Sequence, residues 1–206
     1  DADPHRWALL AVWDDDASAE AFARGPVVAA WRGFALEEWS ARLRPLASRG
    51  RWSRQEPFGR PRPQAWAGQV AALTRARLTV RRTTRFWRAV PPVSADLHRT
   101  PGLLTALGIG EAPIGLQGTF SLWESAQALN RFAYERAPHA AAITRTSQEG
   151  WYAEELFARF AVLATSGTLD GRDPAAVASG DQLLQRGGRQ EPGPPRPTRG
   201  RERSGR

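Results

Sequence analysis

One pattern occurs twice in this chain, and it restricts the fold more than any other feature. Val12-Trp13-Asp14 matches Leu122-Trp123-Glu124, and at the same spacing Phe22-Ala23 matches Phe132-Ala133. Further on, Pro26 matches Pro138, Glu37 and Trp39 match Glu149 and Trp151, and Leu46-Ala47-Ser48 matches Leu163-Ala164-Thr165. Each copy runs strand, acidic turn, helix, proline, helix, tryptophan. Duplicated units of this kind bury their apolar faces against one another.

Residue chemistry gives each copy its elements. Trp7 to Trp13 and Leu116 to Trp123 read as strands, and Phe157 to Thr165 as a closing strand with Phe160, Val162 and Ala164 on one face. Asp14-Asp15-Asp16 and Glu124-Ser125 supply acceptors at helix starts, for helices Ala17 to Arg24 and Ala126 to Tyr134. Pro26 and Pro138 suit the first turn of a second short helix. The later copy is preceded by a strand over Gln69 to Val80, a helix from Thr83 interrupted by Pro91-Pro92, and a strand over Leu103 to Ile109. Its order is β-α-β-β-α-β, the ferredoxin-like pattern. The earlier copy lacks the leading strand and helix.

The expected fold is therefore α+β, with tandem ferredoxin-like halves packed sheet to sheet as a barrel within one chain, the first half incomplete. Residues 1–48 form that incomplete half, 49–66 a Pro- and Gly-bearing linker, 67–170 the second half, and 171–206 a disordered basic tail. Alternation places Leu116, Phe120 and Leu122 on one face of a strand and Gln117, Thr119, Ser121 and Trp123 on the other. The tryptophan-bearing face is expected to point into the barrel and to line a largely apolar cavity.

The chain has 206 residues, a net charge of +8, no Cys and no Lys. Without Cys, thiolate metal sites and cysteine nucleophiles are excluded. No run of about 18 apolar residues spans a bilayer. The arginines of the tail have no interleaved aromatics, so no nucleic-acid partner is expected. Gly108-x-Gly110 lacks the rest of a dinucleotide fingerprint. Of Glu154 and Glu155, one should face solvent and the other pair with an arginine such as Arg145. His5 and His98 read as surface residues. His139 shares a helical face with Ala142, Ile143 and Thr146, where small side chains would let a flat macrocycle approach. A neutral imidazole is the usual axial haem ligand where Cys is absent, although a lone His is more often a surface or core residue.

Several ordered blocks together resemble the spheroidene monooxygenase family of carotenoid ketolases. They are Phe86-Trp87-Arg88-Ala89-Val90-Pro91, Gly108-Ile109-Gly110-Glu111-Ala112-Pro113, Gln117-x-Thr119-Phe120-Ser121-x-Trp123, Pro138-His139-Ala140-x-Ala142-Ile143 and Gly150-Trp151-Tyr152-Ala153-Glu154-Glu155-Leu156. The resemblance runs from about Trp7 to Gly171. It implies a dimeric-α/β-barrel-type fold and an O2-dependent enzyme that introduces a keto group at C-2 of an acyclic carotenoid, through two hydroxylations at one carbon and loss of water. It implies haem b and electrons from ferredoxin. On this reading His139 binds the iron, Gln117 and Arg145 are distal or propionate-binding groups, and Trp123 and Trp151 wall the pocket. A cytoplasmic protein touching the inner face of the membrane peripherally is expected, because the substrate dissolves there. Two alternatives remain: a cofactor-free barrel that binds an apolar ligand, and a haem lyase of the aldoxime-dehydratase type.

Overall fold

The computed structural model describes residues 5–62, 64–78, 96–111, 116–135 and 152–176. The expected helix from Thr83, the second helix at Pro138, and the tail beyond Ala176 lie outside them.

In chain order the elements are α1 (Asp16–Ala23), α2 (Pro26–Arg32), β1 (Trp39–Gly50), β2 (Val70–Leu78), β3 (Leu103–Glu111), β4 (Leu116–Trp123), α3 (Ala126–Asn130) with a π turn over Arg131–Glu135, and β5 (Tyr152–Gly167). The strands form one sheet in the order β1-β5-β2-β4-β3, and every pairing is antiparallel. Within it, β5-β2-β4-β3 is the ferredoxin-like arrangement: the second half's last strand beside its first, and its third strand between its first and second. The α+β, ferredoxin-like expectation holds. β5 begins at Tyr152, earlier than alternation alone places it.

Helix starts follow the local chemistry. The Asp15 carboxylate accepts from Ser18 N at 2.7 Å, and the Ser125 hydroxyl accepts from Ala128 N at 3.2 Å. Each satisfies a backbone donor that the first turn leaves unpaired. Pro26 sits in the first turn of α2, where its missing N–H costs nothing.

These caps are also corresponding positions of the repeat. So are two aromatic pairs: Trp13 lies 4.9 Å from Phe22 at 40°, and Trp123 lies 5.3 Å from Phe132 at 33°. In the closing strands the structure corrects the correspondence. Glu37 matches Glu154 and Trp39 matches Leu156, not Glu149 and Trp151. From there Glu37–Phe58 aligns with Glu154–Ala175 without a gap. Gly50 and Gly167 both have positive φ (92° and 83°), and the turns after them close by matching bridges, Trp52 to Gln55 and Leu169 to Arg172. The β1–β5 register is symmetric under this exchange. Trp39 pairs with Gly167 as Gly50 pairs with Leu156, and Leu43 with Val162 as Pro45 with Phe160. Arg44 opposite Ala161 maps onto itself, so a local pseudo-two-fold axis passes there.

A second correction concerns residues 7–13. They are not a strand, and among the described residues Ala8–Trp13 make no backbone hydrogen bond. A strand needs a neighbour, and none of the described strands pairs with this segment.

Two apolar layers sandwich the sheet. On one face Ala71, Leu73, Leu122, Leu156, Ala158 and Phe160 are buried under Trp39, Trp52, Phe58 and Phe120. Trp39 pairs at the far end of β5, yet its ring lies 6.1 Å from Phe120 of β4. The β1–β5 ribbon therefore curls over this face, as a closing barrel requires. The stretch after β1 joins in: Trp52 packs in this layer, and Phe58 meets Phe160 edge-on at 4.9 Å. On the other face Val70, Trp123, Ala128, Leu129 and Phe132 form the layer between sheet and helix.

Candidate functional site

The helix-side face of the sheet has two unlike ends. At one end α3 covers it. Trp123 is fully buried there, its ring against Phe132 and its Nε1 donating to the Ser121 Oγ at 2.9 Å. This overturns the expectation that the tryptophan-bearing face points into the barrel. Trp123 and Ser121 face the helix, and the barrel side carries Phe120 and Leu122. Alternation separates the two faces of a strand, but only the position of the helix says which is inward. With its whole surface closed in by protein, Trp123 holds α3 on the sheet.

At the other end the same face is floored by small or short side chains. Register puts Thr74 and Ala76 of β2, Gly108 and Gly110 of β3, and Gln117 and Thr119 of β4 side by side. Gly108 and Gly110 are exposed, and among the described residues a Cβ on either would meet nothing within 4 Å. Gln117 is half-buried and its amide makes no hydrogen bond among the described residues. Phe157, opposite Thr74 on β5, borders the floor, with the Arg49 guanidinium 5.1 Å from its ring. Ala76 is buried and Thr74, Gln117 and Thr119 are half-buried, so the open part of this face is the Gly108–Gly110 margin, which beside the Gln117 amide suits one edge of an apolar ligand with a single polar point. The glycines were visible in the sequence, but their role depends on the register that puts both on one face.

The barrel side carries a charged cluster instead. Arg75 is only 4% exposed, stacks on Trp52 at 4.5 Å and donates to Glu154 at 3.2 Å. Glu154 also accepts from Ser53 N and Arg54 N, each at 2.8 Å. The Arg54 N–H, with those of Ser53 and the Arg75 side chain, holds the Glu154 carboxyl below its ordinary range against the opposing effect of burial. Glu37, its symmetry mate, accepts from Gly171 N at 2.6 Å, Thr168 Oγ at 2.8 Å and Asp170 N at 2.8 Å, and is likewise lowered, first by the Gly171 N–H. Both glutamates thus clamp the turn that follows the opposite closing strand. They sit at a strand start, so Glu154 and Glu155 point to opposite faces, and the described arginine partner of Glu154 is Arg75; Glu155 lies 3.9 Å from Arg49.

Of the expected site residues, Gln117 lies beside the open margin and Trp123 in the core. His139, Arg145 and Trp151 lie outside the described residues. His5 and His98 are exposed, and no cluster of His, Asp and Glu able to hold a metal occurs among the described residues. Among the described residues, therefore, no buried imidazole is available to hold a haem.

Sheet order, the symmetric closing strands and a helix on one end of one face define a duplicated ferredoxin-like α+β protein. No protein-family model matches the chain. It is 36% identical over 176 residues to a spheroidene monooxygenase of Cereibacter sphaeroides, covering 84% of this chain and 54% of that one. It is 39% identical over 176 residues to the spheroidene monooxygenase of Rhodobacter capsulatus, covering 82% and 72%. The protein belongs to the spheroidene monooxygenase family, and it spans about half the length of the first of these relatives. Among solved structures, a Fusobacterium nucleatum protein gives a TM-score of 0.46 at 11% identity, covering 78% of this chain and 72% of that one. SnoaB, a cofactor-independent oxygenase from Streptomyces nogalater, gives 0.40 at 16% identity, covering 50% and 99%.

Proposed function

We propose that this chain is part of an O2-dependent monooxygenase that converts C-2 of an acyclic carotenoid from methylene to ketone. The observation that carries the reading is its identity to the spheroidene monooxygenases. Two hydroxylations at one carbon consume two O2, four electrons and four protons. Each inserts one oxygen atom and releases one water; the resulting gem-diol loses a third. We assign electron supply to ferredoxin and the cofactor to haem b, with His139 as its ligand. Bound haem would supply the oxygen-activating chemistry.

The chain's own contribution is shape and orientation. The open margin at Gly108 and Gly110, next to the half-buried Thr74 and Thr119, receives one edge of an apolar body. Gln117 supplies a donor and an acceptor to fix one polar atom. Arg145 and Trp151 are assigned, from the sequence alone, to an anionic group of the cofactor and to a pocket wall. Among the described residues no helix is long and apolar enough to cross a membrane, and the carotenoid is taken up through peripheral contact with the membrane's inner face.

The test is an absorbance titration of the purified protein with haem, beside a carotenoid turnover assay under 18O2. A Soret band lost in His139→Ala, and 18O in a ketone product, are expected. Undiminished haem binding by His139→Ala removes that ligand. Polyene binding without O2 uptake points instead to a cofactor-free binding protein, and O2-independent turnover to a lyase.

A further inference from the structure

The two edges of the sheet are built differently. β1 is one edge and β3 the other, and among the described strands each pairs with a single neighbour. β1 carries devices that keep an edge from adding strands. Arg42, Arg44 and Arg49 stand exposed along it, and Pro45 removes a backbone donor. β3 carries neither. Over its nine residues it has no proline, and no charge before its last residue, Glu111. The backbone groups that Leu104–Gly110 turn away from β4 make no hydrogen bond among the described residues. An uncharged, unpaired edge of this length is a template for another strand.

We propose that β3 pairs antiparallel with β3 of a second copy of this chain, about a two-fold axis at Gly108. The charge pattern selects this partner. A strand without charge opposes itself without repulsion, whereas β1 against β1 would bring arginines together. Contact between like edges also closes at two chains. β3 of one copy on β1 of the next would grow into an open filament, and Pro45 and the arginines of β1 oppose it. The register is self-complementary. Leu107 of each copy falls opposite Ile109 of the other, on the face that carries Phe120, where both are half-buried within the single chain. Ala106 falls opposite Gly110 on the helix-side face. The Gly108–Gly110 margins of the two copies then lie side by side, so the open edge of each site continues onto the other copy as one strip of small residues. This pairing stands on the sheet edge alone and is independent of the chemistry assigned above.

The chain has no Cys, so a single introduced cysteine reports the contact. Gly108→Cys falls opposite itself at a Cα separation of ~4.5–5.5 Å, which a disulfide spans, and mild oxidation is expected to link two chains through it. Arg42→Cys, on the other edge, is expected to stay unlinked. In sedimentation equilibrium over a concentration series, the unaltered chain is expected to approach twice the mass of one chain. Gly108→Lys is expected to stay at the mass of one chain, because like charges then face each other across the axis. Among the described residues a Cβ at Gly108 meets nothing within 4 Å, so this variant should keep the urea midpoint of the unaltered chain; if it does not fold, the cysteine pair decides. The proposal fails if the unaltered chain stays single up to about 1 mM, if folded Gly108→Lys still pairs, or if Arg42→Cys links chains and Gly108→Cys does not.

Discussion

Gly50→Ala and Gly167→Ala should be far more damaging than the same change at Gly59. All three glycines have positive φ, 92°, 83° and 58°. A Cβ at Gly59 meets nothing within 4 Å, so Gly59→Ala carries only the cost of the left-handed conformation, ~1–2 kcal/mol, partly offset by a less flexible unfolded chain. A Cβ at Gly50 would fall 2.0 Å from the Glu155 carbonyl oxygen, and one at Gly167 2.0 Å from that of Glu38. Both obstacles are backbone, so the strands must part. The displaced bonds are Arg51 N to Glu155 O at 2.7 Å and Thr168 N to Glu38 O at 2.9 Å, worth about 1 kcal/mol each. Adding the harsher φ and the shifted ribbon gives ~3–4 kcal/mol for each variant. Urea unfolding followed by tryptophan fluorescence measures this as a drop in midpoint of ~1–2 M at constant slope. Because the two sites are symmetry mates, their losses should agree within about 1 kcal/mol. A Gly50→Ala protein no less stable than Gly59→Ala would refute the proposed close approach of β1 and β5.

Other perturbations separate the two faces of the sheet. Glu154→Gln should lower stability at pH 7. The folded carboxyl is held below its unfolded value of ~4.3, so its contribution is complete above that value and fades as pH falls toward the folded one. The gap between wild type and Glu154→Gln, measured by urea unfolding from pH 7 to pH 3, should therefore narrow on acidification; a widening gap would reverse the assignment. Trp123→Ala should cost ~3–5 kcal/mol through the cavity it leaves under α3, with amide exchange accelerated in residues 126–132. Gln117→Leu should leave unfolding within about 0.5 kcal/mol of wild type while raising KM for the carotenoid; unchanged kinetics would remove Gln117 from substrate positioning.

Local chemistry made much of this fold legible. The Asp15 and Ser125 caps, Pro26 at a helix start, and the bounds of β2, β3 and β4 follow from side-chain type and alternation. So does the ferredoxin-like order, which the sheet reproduces strand for strand. What failed depended on neighbours. Trp7–Trp13 has strand periodicity but no partner for its backbone. Trp123 has the right alternation, yet its inward sense was assigned to the barrel before the helix was placed. The gap-free match of Glu37–Phe58 with Glu154–Ala175 was available in the sequence, but two tryptophans, Trp39 and Trp151, drew the alignment out of register. Glycine and glutamate carry the correspondence better here, because backbone geometry and turn clamping demand them and packing alone does not demand a particular aromatic. Alternation puts Gln117 on the helix-side face of β4, where the register also has it. The open Gly108–Gly110 margin leaves little trace in the sequence, because it consists of absent side chains.

The axis through Arg44 and Ala161 has a further consequence. In a homodimer, every mutation strikes both subunits, so two equivalent active centres must improve or decay together. Joining the subunits into one polypeptide removes that constraint. Val27, matched to His139 by the proline register, is one position where the two copies already differ, so a change in one lobe of this symmetric frame need not be mirrored in the other.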